Sequence, residues 1–213
     1  VRKRGEFMEE AVPAGIGKMA AILGLDRQLL EDITASVSAS GNTVQLANIN
    51  SPGQIVISGS AEGVTKACEL AKSNGAKRAI MLEVSGPFHS SLMKPAASKL
   101  GAVFEKISWN NASTPVISNV HAKPMMSSTE MKEKLLQQLY SPVLWQDCVE
   151  QMIELGVDTF IEIGSGKVLS GLIKKINRAV TVYSVSNESE VQAVVSALKR
   201  EKQWKFNMSI FIP

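Results

Sequence analysis

The sequence is poor in the residues that mark several common classes of protein. Its two cysteines, Cys68 and Cys148, lie far apart, so they form no CxxC metal site and no disulfide framework. There are also only two histidines, His89 and His121, so a multi-histidine metal site is not expected. No apolar run approaches the roughly eighteen residues that span a bilayer. We therefore predict a protein with no metal and no membrane span.

Charge and aromatic content argue against a nucleic-acid-binding protein. The 23 Lys and Arg residues exceed the 20 Asp and Glu residues by 3, too small an excess for a chain that coats DNA. Aromatic residues make up 5% of the chain, and its predicted strands lack the aromatic platform of RNA-binding modules. The remaining composition is that of a globular protein, and 213 residues allow one large domain or two small ones.

Residues 15–85 are predicted to form a small ferredoxin-like domain. The predicted order is strand, helix, strand, strand, helix, strand, over residues 18–25, 26–40, 44–49, 54–58, 60–75 and 76–86. Asp26 is the predicted N-cap of the first helix, and Ser60 is the predicted start of the second. The Pro52-Gly53 pair supplies the turn between the middle strands. This βαββαβ order is the split βαβ arrangement.

The rest of the chain is predicted to belong to a larger α/β subdomain. Residues 1–14 form a helix that Pro13 ends, and residues 86–199 alternate helices with strands at 115–120, 159–164 and 180–186. One of these helices is predicted to begin at Pro142. Such alternation favours a parallel sheet. About three strands are fewer than a sheet of this kind usually has, so we expect the sheet to be incomplete. Residues 200–213 form a tail with no assigned role.

His89 is the first candidate functional residue. In the segment GPFHS, Gly86-Pro87 is predicted to end a strand and His89 to begin a helix, at the sheet edge where α/β proteins bind ligands. The imidazole is then either a general base or a helix-capping, hydrogen-bonded histidine, and position alone favours the second interpretation. We interpret His121 as structural.

Other segments have a functional and a structural interpretation. Arg2–Gly5 (RKRG) is either a solvated helix face or a source of a guanidinium that pairs with a carboxylate. The segment 162–171 suggests phosphate binding but lacks the Walker A spacing, so a tight turn is favoured. No GxSxG sequence occurs, and Ser90 beside His89 seldom gives a nucleophile–base geometry. A self-contained Ser–His hydrolase is therefore disfavoured.

An ordered series of segments resembles the malonyl-CoA:acyl carrier protein transacylase family of bacterial fatty-acid synthesis. The segments run from RGEFMEEAVPAG through NINSPGQIVISG, MLEVSGPFHSSLMKPAA and QQLYSPVLWQ to EIGSGKVLSGLIK, covering residues 1 to about 198. The resemblance implies an α/β-hydrolase-like large subdomain with an inserted ferredoxin-like small subdomain. It also implies a cytoplasmic enzyme without a cofactor. Such an enzyme moves malonyl from malonyl-CoA to the pantetheine thiol of acyl carrier protein through a serine acyl-enzyme.

The resemblance also implies roles for five residues. His89 matches the general base that activates the serine, and Arg4 matches the arginine that pairs with the malonyl carboxylate. Asn48 and Gln138 match residues lining the site, where side-chain or main-chain oxygens orient the histidine. Phe88 matches the version of the motif that prefers malonyl groups.

The sequence departs from the family at the nucleophile. The family's GHSxG serine and its Gly-rich oxyanion segment precede Arg4, and neither is in the chain. The sequence starts at Val1 rather than at a methionine, so we expect a segment of something longer, inactive by itself. The alternative is a non-catalytic fragment that docks acyl carrier protein through its basic residues. Those residues are Lys77, Arg78, Lys174, Lys175 and Arg178.

Overall fold

The computed structural model describes residues 1–13 and 15–200. Its helices are α1 Arg2–Ala11, α2 Arg27–Ala39, α3 Ala61–Ser73, α4 Lys94–Phe104, α5 Ser128–Gln137, α6 Trp145–Glu154, α7 Val168–Ile176 and α8 Glu188–Arg200. Its strands are β1 Gly17–Leu23, β2 Val44–Ser51, β3 Gln54–Ser60, β4 Arg78–Met81, β5 Val116–Ile117, β6 Pro124–Met125, β7 Thr159–Ile163 and β8 Thr181–Val185. Within the described residues, no helix combines the length and apolar character that a membrane crossing requires. Apart from Arg200, which ends α8, the predicted tail lies outside these residues.

The first four strands form an antiparallel sheet in the order β2-β3-β1-β4. With α2 and α3 in the connections, this is the ferredoxin-like arrangement predicted from the sequence, and that prediction is confirmed. One face packs against both helices, with Ile22, Leu30, Ile57 and Val64 almost fully buried. Each such side chain contributes about 1.5–3 kcal/mol by leaving water. The limits of this unit at residues 15 and 85 remain predictions.

The two predicted helix starts are confirmed by hydrogen bonds. The Asp26 carboxylate accepts from the amides of Gln28 and Leu29 at 2.9 and 3.2 Å. The Ser60 hydroxyl oxygen accepts from the amide of Gly63 at 3.1 Å. Each bond satisfies amides that have no partner within the helix.

The second face of the small sheet is covered by the segment that follows β4. Phe88 packs with Leu82 against Met19, Ala47 and Val56 on this face. The predicted strand over residues 76–86 is therefore too long. After Leu82 the chain leaves the sheet, because Val84 donates to the Leu82 carbonyl at 3.1 Å and turns the backbone.

The remaining strands confirm the parallel prediction in one place only. β7 and β8 pair in parallel, with α7 connecting them. The strand predicted over residues 115–120 is wrong beyond Ile117, since β5 forms a two-residue antiparallel pair with β6. The chain reverses there because Ala122 adopts φ +55° and its amide donates to the Ser118 carbonyl at 2.8 Å.

The predicted helix start at Pro142 is also wrong. The helix α6 begins at Trp145, and Val143 instead extends along β2. Its amide donates to Ala47 at 2.8 Å, and its carbonyl accepts from Ile49 at 2.9 Å. These bonds require an extended backbone, which excludes Val143 from the first turn of a helix.

Candidate active site

His89 lies in a turn, not at the start of a helix as the sequence predicted. Its φ is +58°, a left-handed conformation that cannot continue into α4 and that costs a non-glycine residue about 1–2 kcal/mol. A short 3₁₀ turn, Ser91–Met93, separates His89 from α4. The hydroxyl of Ser90 is buried and donates to the Pro87 carbonyl at 2.6 Å, so it is not presented as a nucleophile.

The His89 ring is oriented by a main-chain carbonyl. Its Nδ1 lies 2.9 Å from the carbonyl oxygen of Gln138, so Nδ1 carries the proton of the neutral ring. In this tautomer Nε2 carries the lone pair of the ring. Burial lowers the pKa of His89 and the charge of Arg4 lowers it further, while the carbonyls of Gln138 and Ser141 oppose this. The result is a neutral imidazole with Nε2 available to accept a proton.

Gln138 contributes to this geometry through its main chain and its side chain separately. Its carbonyl meets His89, while its buried side-chain Nε2 donates to the carbonyls of Ser141 and Pro142 at 3.2 and 3.4 Å. The side chain therefore holds the turn after α5 in the shape that points the Gln138 carbonyl at the imidazole.

Arg4 is brought near His89 by the packing of α1 on α4. Met8 and Val12 pack in one cluster with Met93 and Leu100. Arg4 is partly buried on α1, and burial lowers its pKa. Within the described residues its guanidinium has no hydrogen-bond or ion-pair partner. A desolvated, unpaired cation of this kind favours binding of an anion.

The other two predicted site residues, Asn48 and Phe88, make no hydrogen bond to the His89 ring. Asn48 lies on β2, half-buried and bridged to Val143, but its side chain makes no hydrogen bond to His89 or to any other described residue. Phe88 packs its ring against the small sheet and against the α1–α4 cluster. It joins these two parts of the structure directly beside His89.

Sequence reasoning missed Gln45, a half-buried residue on β2. Its Nε2 donates to the carbonyls of His89 and Tyr140 at 3.3 and 3.5 Å. Its Oε1 accepts from the amide of Ser91 at 2.9 Å. A single polar residue within an alternating strand carries no signal of such contacts, because its partners are 44 to 95 positions away along the chain.

The glycine-rich loop before α7 is already occupied by a carboxylate. Glu162 accepts from the amides of Leu169 and Ser170 at 3.1 and 2.8 Å, and from the Ser170 hydroxyl. Burial raises the pKa of Glu162, but the hydrogen bonds from Ser170 and Leu169 lower it overall. Two amides at the start of α7 are thus taken by a carboxylate of the chain itself, which favours the tight-turn interpretation.

Comparison with known proteins gives a consistent result. Residues 1–211 match the model of the family described as acyl transferase domain. A malonyl CoA-acyl carrier protein transacylase of Bacillus subtilis is 59% identical over 201 residues, which are 94% of this chain and 63% of the relative. The solved structure of an acyl carrier protein S-malonyltransferase from Vibrio cholerae is 44% identical to this chain and superimposes with a TM-score of 0.88. The match covers 91% of this chain and 63% of the Vibrio cholerae chain.

A solved complex of a type II PKS acyl-carrier protein with its malonyl-transacylase is also similar. It is 42% identical to this chain with a TM-score of 0.86, over 93% of this chain and 63% of that one. The chain thus spans slightly less than two thirds of the length of these relatives. Over that length its sequence and its α/β fold agree with theirs, and the chain belongs to the acyl transferase domain family.

Proposed function

We propose that this chain carries the general base and substrate-binding residues of a malonyl-CoA:acyl carrier protein transacylase of fatty-acid biosynthesis. The observation that carries the proposal is the His89 imidazole, held at Nδ1 by the Gln138 carbonyl with Nε2 available. The names of the relatives from Bacillus subtilis and Vibrio cholerae support the same reaction. A cytoplasmic location is inferred from the sequence resemblance alone.

In this proposal His89 moves one proton in each half of the reaction. Nε2 takes the proton of a serine hydroxyl while the serine oxygen attacks the malonyl thioester carbon, and it returns that proton to the departing CoA sulfur. In the second half Nε2 takes the proton of the pantetheine thiol while the sulfur attacks the serine ester. The serine oxygen leaves and recovers the proton.

The serine would come from outside these 213 residues, which contain no GxSxG sequence. The open side of β7 is a suitable place for the segment that bears it. β7 pairs only with β8 among the described strands. Its last residue, Ile163, is 83% exposed, and Val168, the first residue of α7, is 72% exposed. We infer that a strand from the part of the relatives that this chain does not match, more than a third of their length, adds here.

Arg4 would bind the malonyl carboxylate. An acetyl group would leave this partly buried guanidinium without a partner, and losing a charged hydrogen bond of this kind costs about 1.5–3 kcal/mol. This corresponds to a preference for malonyl of roughly ten- to hundredfold. Asn48 and Phe88 are proposed to line the same site.

Acyl carrier protein, an acidic protein, would dock on the basic residues named from the sequence. Leu23 pairs with both Gln54 and Arg78, and the Lys175 ammonium donates to the Gln54 side chain at 2.9 Å. These contacts bring Lys175 of α7 to the end of the small sheet that carries Arg78. The same surface would serve the alternative function, a non-catalytic fragment that binds acyl carrier protein.

The test joins the unmatched part of the Bacillus subtilis relative to residues 1–213 in one polypeptide. We expect this chimaera to transfer radiolabelled malonyl from malonyl-CoA to holo acyl carrier protein, and residues 1–213 alone not to do so. His89→Ala should abolish transfer, while His121→Ala, the matched histidine control, should leave it intact. Transfer at the original rate by His89→Ala would overturn the assignment of the base.

Two further outcomes separate the alternatives. A malonyl adduct on residues 1–213 alone, seen by intact mass spectrometry, would contradict the need for a serine from elsewhere. An inactive chimaera, together with salt-sensitive binding of acyl carrier protein by residues 1–213, would favour the non-catalytic fragment.

The role of Arg4 is tested in the same chimaera. Arg4→Ala should raise the rate of acetyl transfer relative to the rate of malonyl transfer. Arg2→Ala, which changes an exposed arginine on the same helix, is its control.

A further inference from the structure

The side-chain amide of Gln45 hydrogen bonds to both of the turns that form the His89 site. One turn carries His89 and the other, after α5, carries the Gln138 carbonyl that meets the imidazole. Within the first turn Gln45 contacts the residues at and after the histidine, donating to the His89 carbonyl and accepting from the Ser91 amide. Its third contact, with the Tyr140 carbonyl, reaches the second turn.

The orientation of this amide is determined by its partners. Both carbonyls face the Gln45 nitrogen and the Ser91 amide faces its oxygen, so a flipped amide would lose all three hydrogen bonds. Gln45 is also rigidly placed, because it lies on β2 in register with Ser58 of β3. A fixed donor and acceptor therefore reach both turns from the same strand.

The His89 turn needs such support. Its left-handed backbone is unfavourable for a histidine and persists only where surrounding contacts hold it. The hydrogen bonds of Gln45 hold the carbonyl of that strained residue and the amide two positions after it. Loss of these bonds would let the backbone relax and move the ring away from the Gln138 carbonyl.

We propose that Gln45 is a positioning residue, which holds the two turns together and so keeps Nδ1 of His89 on the Gln138 carbonyl. The inference rests on the proposed function of His89 as general base. Gln45 does not touch the reacting atoms in this scheme and acts through the imidazole. Its effect on rate follows from orientation of the base, for which small misplacements cost roughly ten- to hundredfold.

The first experiment uses residues 1–213 and needs no activity. With histidine ring nitrogens labelled with ¹⁵N, the two histidines give two sets of NMR signals, assigned with a His89→Gln variant. We expect His89 to hold its proton on Nδ1 and to titrate below its ordinary pKa of 6.5, because burial and Arg4 disfavour the charged ring. His121, which contacts Glu130 and Lys123 instead, serves as the internal control.

Two variants remove the contacts to different extents. Gln45→Met has similar volume and removes all three hydrogen bonds, whereas Gln45→Glu keeps an acceptor for the Ser91 amide and removes both donors. In each variant we expect His89 to lose its excess of the Nδ1-protonated form while the His121 signals stay unchanged. Unchanged His89 tautomer in both folded variants would overturn the positioning role.

The second experiment places Gln45→Met in the chimaera. We expect kcat to fall roughly ten- to hundredfold with little change in KM for malonyl-CoA, and no additional loss when His89→Ala is also present. A KM effect alone would contradict action through the base. Failure of the proposed function appears separately, as an undiminished rate in His89→Ala, whatever the Gln45 variants do.

Discussion

Replacing Gly17 with alanine tests how the His89 turn is seated on the small sheet. Gly17 begins β1, and a Cβ added to it would lie 2.3, 2.4 and 2.6 Å from the Cγ, Cδ and Cβ atoms of Pro87. The Pro87 ring is buried and cannot rotate away, so the whole turn has to shift. Overpacking of this kind costs about 1–3 kcal/mol. For a chain of this length that lowers Tm by roughly 2–12 °C.

The assay is equilibrium urea denaturation of residues 1–213, with Gly171→Ala as the matched control. Gly171 lies exposed within α7, with no atom within 4 Å of an added Cβ. This substitution should stabilise the chain by about 0.5–1 kcal/mol, because alanine favours a helix. The two changes are therefore expected to have opposite signs. If Gly17→Ala were as stable as the original chain, the close packing of Pro87 on β1 would be refuted.

Three other predictions concern single groups. Asp26→Ala should cost about 1 kcal/mol of unfolding free energy in urea, because two amides lose their acceptor; no change would contradict the cap. Burial raises the pKa of the Cys148 thiol to about 12 and also raises that of Cys68, so neither should react with a thiol reagent at pH 8 until the chain unfolds. The unfolded chain binds a proton at His89 more readily than the folded chain does. The free energy of unfolding should therefore decrease as the pH falls from about 6.5 to the lower pKa that His89 has in the folded chain. His89→Gln should remove the part of this decrease that is due to His89.

The small sheet could be predicted from the sequence because its signals are local. Asp26 and Ser60 each cap a helix within three residues, and Pro52-Gly53 makes the turn between adjacent strands. Once these elements are assigned, the βαββαβ order restricts the pairing to few arrangements. The alternating apolar residues then determine which face packs against the helices.

The errors arise where distant contacts override a local signal. Pro142 resembles the first residue of a helix, but β2 binds the next residue through main-chain hydrogen bonds that no local pattern reveals. The strand β6 has two residues, too few to show any periodicity. His89 was found as a candidate, but no local pattern predicts its left-handed backbone. Its contact with Gln138, 49 positions away, was expected only from the family resemblance, which did not say whether the main chain or the side chain makes it.

Val143 also limits how this molecule can associate with others. β2 is an outer strand of the four-stranded sheet, and Val143 already uses the main-chain groups of Ala47 and Ile49 on its free side. The opposite outer strand, β4, has only four residues. Growth of this sheet by edge-to-edge addition of a second copy at β2 would first require the segment before α6 to detach, which protects the folded chain against aggregation at that edge.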